Sequence, residues 1–399
     1  MKSAKLVALG LAAAMTASLA ACGASSTPAA GSSSGKSGGN VIRIGVFEPT
    51  TGENGGGGFQ EVLGMRYANE THKTVKIGDT EYTIELDEVD NKSDKTEAVS
   101  AANKLVGDKV SVVLGSYGSG VSIAAGQIFA DAKIPAIGAS CTNPQVTQGN
   151  DYYFRVCFLD PFQGTVLANY AWNSGVTTAY TLAMLGSDYD QGVVYYFKQA
   201  VEALGGTVVS EDFPEGTSNF VSYINNAQSA GAGVIMAPVS TNYAQLIIEA
   251  ASSQGFEGEL LGSDTWDNNM VVESAKGKDV SIKVTTFYQE GGAPEFDSGI
   301  KEWINANPNA LTNNGGNDVV AAVTAMVYDA YFTALEALKA AGSTDASAVL
   351  AALPSVSYDG VSGHIAFDEI GDAIRDTAYI KAANTETGAW EFYAVQGVE

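Results

Sequence analysis

Histidine and cysteine are scarce in this chain, with two His and three Cys among 399 residues. The first count excludes a histidine-rich metal centre, the second a disulfide scaffold or a four-ligand zinc site. Basic residues are few as well: 21 Lys and Arg stand against 45 Asp and Glu, a formal charge of −24. Nucleic acid is therefore not an expected partner, because its binding proteins need clustered Lys and Arg to displace counterions. No serine occupies a nucleophile elbow between a strand and a helix, and neither H-E-x-x-H nor C-x-x-C occurs. His364, in Ser362-Gly363-His364-Ile365, reads as part of a strand-start turn, so a catalytic triad lacks support. The chain is not expected to be an enzyme, and nothing in it asks for a cofactor. What remains is a globular composition, 45% apolar and 17% charged, with length for two or three domain-sized units.

Residues 1–21 read as an address. Lys2 and Lys5 form a charged start, Leu6 to Leu19 an apolar stretch too short to span a bilayer, and Leu19-Ala20-Ala21-Cys22 follows. The run resembles a bacterial lipobox, which implies cleavage before Cys22 and lipidation of its thiol; an ordinary signal with an incidental cysteine is the alternative. Several acyl chains, at about 0.8 kcal/mol per buried CH₂, would anchor the protein stably outside the cytoplasm. Residues 22–40 then form the lipidated Cys and a tether of Ser, Gly, Ala, Thr and Pro that cannot bury a core. Within it, Ala30 to Ser37 fits a permissive phosphate-loop pattern. Such a loop needs a strand before it and a helix after it, and low-complexity sequence lies on both sides.

From Val41 onward strands alternate with helices. Val41 to Phe47, Thr83 to Val89, Val110 to Leu114 and Pro135 to Ile137 read as strands, and so do Tyr180 to Leu185, Val234 to Val239 and Leu260-Leu261. Between them, helical stripes such as Ala98, Ala101, Ala102 and Leu105 recur at spacings of three, four and seven. Strands separated by helices require crossovers, hence parallel sheets covered on both faces. The units are too many for one ordinary sheet, so the expected fold class is α/β with two doubly wound lobes. Ligands in such sheets bind beyond the carboxyl ends of strands.

The residues at those ends carry a resemblance. Ile44-Gly45 with Pro49-Thr50-Thr51-Gly52, Asp90 with Ser93-Asp94, Val113-Leu114-Gly115 with Ser119, and Thr142-Asn143-Pro144 with Thr147 come in order. Phe154-Arg155, Asp160 with Gln163-Gly164, Leu261-Gly262 with Asp264, Tyr328-Asp329-Ala330, and Gly360 to Gly363 with Phe367-Asp368 complete the set. Over residues 41–399 the chain resembles the extracytoplasmic solute-binding proteins of branched-chain amino acid ABC transporters, the leucine/isoleucine/valine-binding family of type I periplasmic binding proteins. The resemblance implies two parallel-sheet lobes joined by three hinge crossovers, near Leu159-Asp160, Phe287-Tyr288 and Thr377-Ala378. Lobe one would be residues 41–159 plus 288–377, lobe two 160–287 plus 378–399. It implies a monomer that traps a small amino acid-like ligand and delivers it to ABC permease subunits with their ATPases.

Ser119 lies just before the helical stripe that begins at Val121. A Ser there can act as N-cap, and the free N–H groups of a helix start favour an anion such as a carboxylate. Ser140 and Thr142 follow the strand Pro135 to Ile137, and their matching family positions supply a carbonyl and a hydroxyl to the ligand's α-amino and α-carboxylate groups. Asp264 matches the family carboxylate that faces the ligand's ammonium, and Tyr189 a tyrosine near the ligand. The bland alternatives are a plain cap, a locally bonded turn, a solvated carboxylate and a packing aromatic. The departures concern the side-chain pocket: Gly55 to Gly58 stand where the family often has an aromatic, Val239 where it often has a tyrosine, and Tyr117 where a smaller wall residue is usual. Leucine is therefore only a default ligand. Cys141 and Cys157 could form a disulfide in an extracytoplasmic compartment, or lie buried as apolar thiols. A sensory receptor for an amide or small carboxylate on the same fold is the alternative function; the end at Glu399 without a signalling segment favours transport.

Overall fold

Val41–Glu48 (β1) is buried along nearly its whole length, the burial pattern of a strand covered on both faces. In the computed structural model, which describes residues 40–397, β1 is followed by α1 (Gly55–Thr71), β2 (Thr74–Ile77), β3 (Thr80–Asp90) and α2 (Lys95–Asp108). Next come β4 (Val112–Leu114), α3 (Ser119–Ala132), β5 (Ala136–Gly138) and β6 (Tyr153–Arg155). These six strands form one sheet in the order β2-β3-β1-β4-β5-β6. Ile44 and Val46 pack into one apolar cluster, while Phe47 and Val113 pack into another with the inward stripe of α2.

The chain then leaves this sheet. α4 (Asp160–Asn173), β7 (Thr178–Met184), α5 (Asp188–Ala203), β8 (Thr207–Phe213), α6 (Val221–Ser229), β9 (Val234–Met236), α7 (Thr241–Ser253), β10 (Glu259–Gly262), α8 (Asn269–Ser274) and β11 (Ser281–Thr286) build a second winding. It returns through α9 (Pro294–Ala306), α10 (Pro308–Asn313), α11 (Ala322–Ala341), α12 (Ala346–Ala352) and the hairpin β12 (Tyr358–Gly360) and β13 (Gly363–Ile365). α11 packs against α1, and a Cβ at Gly64 would lie 2.4 Å from the Thr324 carbonyl oxygen, so only glycine permits that approach. Finally β14 (Ala378–Asn384) and β15 (Ala389–Gln396) join the second sheet, whose order is β15-β14-β11-β10-β9-β7-β8. The architecture is two doubly wound lobes, with the chain passing between sheets after β6, after β11 and before β14.

The expected parallel sheets carry antiparallel margins. β2 pairs antiparallel with β3, β14 with β11, and β15 with β14. The β2–β3 and β14–β15 connections are too short for a crossover, and short turns join only antiparallel neighbours. The cysteines stay apart: Cys141 and Cys157 are both buried free thiols, so the candidate bridge is corrected. The physical reason is packing, because Cys141 lies in the cluster around Phe129 and Cys157 in the other one, with Phe158 and Val166. Cys22, the leader and the tether fall outside the described residues.

One buried cation links segments far apart in sequence. Arg155, fully buried at the end of β6, donates through Nε to Asp372 Oδ1 (2.7 Å) and through one terminal nitrogen to the carbonyls of Cys141 (2.8 Å) and Asn143 (2.6 Å). Its other terminal nitrogen donates to Thr147 Oγ1 (3.0 Å), which itself donates to Asp372 Oδ1 (2.9 Å). Removing one partner of a buried pair strands the other charge, at a cost of about 3–5 kcal/mol. Asp372→Ala is therefore expected to lower the unfolding free energy by about that amount, measurable by urea denaturation; an unchanged midpoint would contradict the cost assigned to stranding Arg155.

Candidate functional site

The carboxyl ends of the parallel strands of both sheets converge on a cavity of about 130 Å³. From the first sheet, the loop after β1 brings Glu53 and Asn54, the loop after β4 brings Tyr117 and Ser119, and the loop after β5 brings Ser140. From the second, the start of α5 brings Tyr189, the loop after β9 brings Ser240, and the loop after β10 brings Asp264 and Thr265. Asp90 steadies the first of these loops by accepting from Thr50 N (2.9 Å) and Thr51 Oγ1 (2.6 Å).

Five of the six binding residues expected from sequence line the cavity: Tyr117, Ser119, Ser140, Tyr189 and Asp264. Thr142 is not among the lining residues. It is fully buried behind them, and its carbonyl accepts from Asp160 N at 3.1 Å. The capping role expected of Ser119 is corrected, because α3 begins at Ser119 itself and Gly118, with φ of 114°, holds the cap position. Only glycine takes that backbone conformation without strain. Ser119 Oγ instead accepts from Asn143 N at 3.1 Å, which leaves its hydrogen free. The first N–H groups of α3 lack helical acceptors, and Ser119, Gly120 and Val121 all border the cavity.

Tyr117 supplies an aromatic wall where α1 has none. A Cβ at Gly57 would lie 2.4 Å from Tyr117 Cζ, so the ring rests directly over that glycine. The glycine run and the tyrosine are two halves of one packing solution. Sequence offered both residues but no sign that they touch.

The electrostatics of the cavity are one-sided. Asp264 is 4% exposed, and burial pushes its carboxyl up to about 6, while the Tyr189 hydroxyl donated to its Oδ1 (2.5 Å) pulls it back. Asp160 and Asp190, both deeply buried, are likewise pushed by burial up to about 7. Glu53 is raised by burial too, and it faces Ser240 across the cleft. The lysine on the lining, Lys95, is engaged by Asp188 Oδ2 at 2.7 Å. That ion pair spans the two lobes. So do the bonds from Asn143 Nδ2 to the Asp188 carbonyl (2.8 Å) and from Asn268 Nδ2 to Gln60 Oε1 (2.9 Å). The lobes are thus drawn together over a small chamber that offers hydroxyls and helix N–H groups on one wall and a carboxyl on the other.

Sequence reasoning missed Glu53, Lys95, Asp188 and Ser240. It also missed Glu48 and Glu61, which are fully buried beneath the cavity floor. Glu61 carried a signal: it stands beside Val62 and Leu63 on the buried face of α1.

A profile described as periplasmic binding protein matches residues 41–386. Leu/Ile/Val-binding protein homolog 1 of Brucella abortus (strain 2308) is 30% identical over 335 residues, which cover 83% of this chain and 87% of that protein. A solved leucine binding protein from Thermotoga maritima superposes with a TM-score of 0.78 at 30% identity, covering 89% of this chain and 99% of that one. The branched-chain amino acid transporter substrate binding protein of Streptococcus pneumoniae, solved in complex with isoleucine, gives a TM-score of 0.78 at 24% identity and covers 90% of this chain and 99% of that one. At that identity the likeness speaks for the fold alone.

The raised carboxyl of Asp264 has a consequence for stability. Between its ordinary value of 3.8 and about 6, the folded protein holds a proton that the unfolded chain has released. Its contribution to stability therefore falls as pH rises through that window. Asp264→Asn removes this contribution. Urea denaturation of the ligand-free protein at pH 4.5 and 7.5 is expected to show a smaller loss of stability with rising pH in the variant; equal losses would contradict the burial assigned to this carboxyl.

Proposed function

The chain belongs to the periplasmic binding protein family, of the kind that serves branched-chain amino acid ABC transporters, and from that premise we propose that it captures a zwitterionic amino acid between its lobes. Such a protein works outside the cytoplasm and hands a small solute to permease subunits coupled to ATPases. Branched-chain amino acids are the default ligand. The hydroxyl of Ser119 and the N–H groups at the start of α3 receive the carboxylate, and Ser140 and Asp264 receive the ammonium. Tyr117 and Tyr189 wall the ligand, and Thr142 supports the floor from behind. The lobes are residues 41–159 plus 288–377 and 160–287 plus 378–399, closing about their crossovers as a hinge.

The observation that carries this reading is Asp264. It is a buried carboxyl on the cavity wall, bonded to a tyrosine hydroxyl, and among the described residues no lysine or arginine side chain is bonded to it. Breaking the charge pair it forms with an ammonium is expected to weaken binding by about 2–4 kcal/mol in Asp264→Ala. Ser119→Ala is expected to cost less, about 1–2 kcal/mol, because backbone amides remain to hold the carboxylate. A thermal-shift screen finds the ligand, since one at 100 times its Kd adds about 2.7 kcal/mol of stability. Calorimetry on the variants then decides: an Asp264→Ala protein that binds as tightly as wild type rules out a zwitterion held in this way.

Attachment to the membrane through a lipid on Cys22 completes the proposal. Cys22→Ala is expected to abolish incorporation of labelled fatty acid and processing at Ala21-Cys22. Label retained by the variant would refute the anchor.

A further inference from the structure

Beneath the cavity floor lie two carboxyls that the binding scheme leaves unused. Glu48, the last residue of β1, and Glu61, on the buried face of α1, are both fully buried, and their carboxyls adjoin. Two adjacent carboxylates in a buried site cannot both ionise, so the pair must hold at least one proton. The remaining partners show which two oxygens share it. Glu48 Oε2 accepts from Tyr117 N at 2.7 Å, and Glu61 Oε1 accepts the hydroxyl hydrogen of Ser140. Among the described residues, Glu48 Oε1 and Glu61 Oε2 are left with no donor from any other group. A proton shared between Glu48 Oε1 and Glu61 Oε2 satisfies both oxygens whichever carries it, and in either case Glu61 Oε1 is left to accept from Ser140; on Glu48 it makes Glu61 an anion that accepts on each side. The direction in which each group is shifted selects Glu48 as the carrier. Burial raises both groups, but the bond between them raises Glu48 further and lowers Glu61, which comes to about 7.

This arrangement sets the polarity of a hydroxyl in the cavity. Ser140 has one hydrogen, and while Glu61 is anionic that hydrogen points away from the cavity, so lone pairs face the ligand. If Glu61 takes up a second proton on Oε1, it donates to Ser140, whose own hydrogen turns into the cavity. We propose that Glu61, with the proton kept by Glu48, is a positioning residue that fixes Ser140 as an acceptor and so makes the floor of the cavity select an ammonium over an acceptor group. This rests on the amino acid reading given above and deepens it. The switch involves no other reactant: one proton leaves Glu61 for solvent, and the Ser140 O–H rotates. The titratable groups facing the pair are Tyr117, Cys141 and Tyr153 from the first lobe and Asp264 from the second. Of these, Asp264 also titrates near neutrality, so the test must isolate Glu61 from it.

The test is calorimetric titration of the whole mature chain with leucine and with 4-methylpentanoate, which lacks the amine, at pH 7.5 and 5.5. In wild type the preference for leucine is expected to shrink about tenfold on acidification, the weight of one charged hydrogen bond turned from favourable to opposed. Glu61→Gln can accept from Ser140 at either pH, its amide donating to Glu48. It is expected to keep leucine affinity at pH 7.5 within about threefold, less than one neutral hydrogen bond, and to show a smaller acid-driven change than wild type. The change due to Asp264 persists in both proteins, so the difference between them reports Glu61. Glu61→Leu, with folding checked by circular dichroism, is expected to lose about tenfold in leucine affinity. A Glu61→Gln profile that matches wild type, or a folded Glu61→Leu that binds leucine undiminished, overturns the inference and leaves the amino acid reading standing. A wild type that binds neither compound overturns the branched-chain reading itself, and this inference with it.

Discussion

The guanidinium of Arg155 is the contact on which the binding geometry depends. A fully desolvated cation is tolerated only if nearly all of its hydrogens find acceptors, and Arg155 takes them from Asp372, Thr147 and the carbonyls of Cys141 and Asn143. Those carbonyls belong to the loop that also carries Ser140 and Thr142. The same loop sends Asn143 N to Ser119 and Asn143 Nδ2 across to Asp188. A single buried charge therefore fixes the cleft wall, the start of α3 and one strut between the lobes. Asp372 enters from the segment between β13 and β14, so the chain's last return to the first lobe locks the loop that its fifth strand began.

The cleft makes the opposite choice with charge. Arg155 meets its acceptors directly, while Asp264 and Asp160 sit in the dry interior with hydroxyl or amide company and, among the described residues, no cation bonded to them. Desolvation holds them near the point of neutralisation, and each regains its charge most cheaply when a positive group arrives. The uneven distribution is functional in form: the charge of Arg155 is met by acceptors on every side, and the cleft carboxyl is left short of a cation. Tyr117 resting on Gly57 then restricts the space in which that partner can be offered.

Much of this is legible in the sequence. Ile42, Ile44 and Val46 announced a strand, the stripe from Ala98 to Leu105 a helix, and the hydroxyls and carboxylate after strand ends fell where parallel sheets gather ligands. Alternation of elements carries that information because periodicity is local. Ser119 misled because a serine before a helical stripe is the usual cap signal, and the positive φ of Gly118 that displaces it is written in no side chain. Glu48 and Glu61 were invisible as a pair, since one ends a strand and the other lies within a helix, and only the packing of α1 on the sheet joins them. The antiparallel margins were hidden likewise, because a strand's partner is chosen by its connection and not by its composition.

The packing of α11 on α1 has a kinetic consequence. Asn69 at the end of α1 donates to the hydroxyl of Tyr331 on α11, 262 residues further along the chain. All six strands of the first sheet lie within residues 41–155, yet one of their covering helices arrives only when most of the polypeptide exists. The second sheet waits longer still, for β14 and β15. Closing such long loops costs entropy before any contact repays it, so this topology folds slowly for its size. The chain thus spends an extended interval without a finished core, an interval in which machinery that handles unfolded polypeptides has time to act before the lobes close off their interiors.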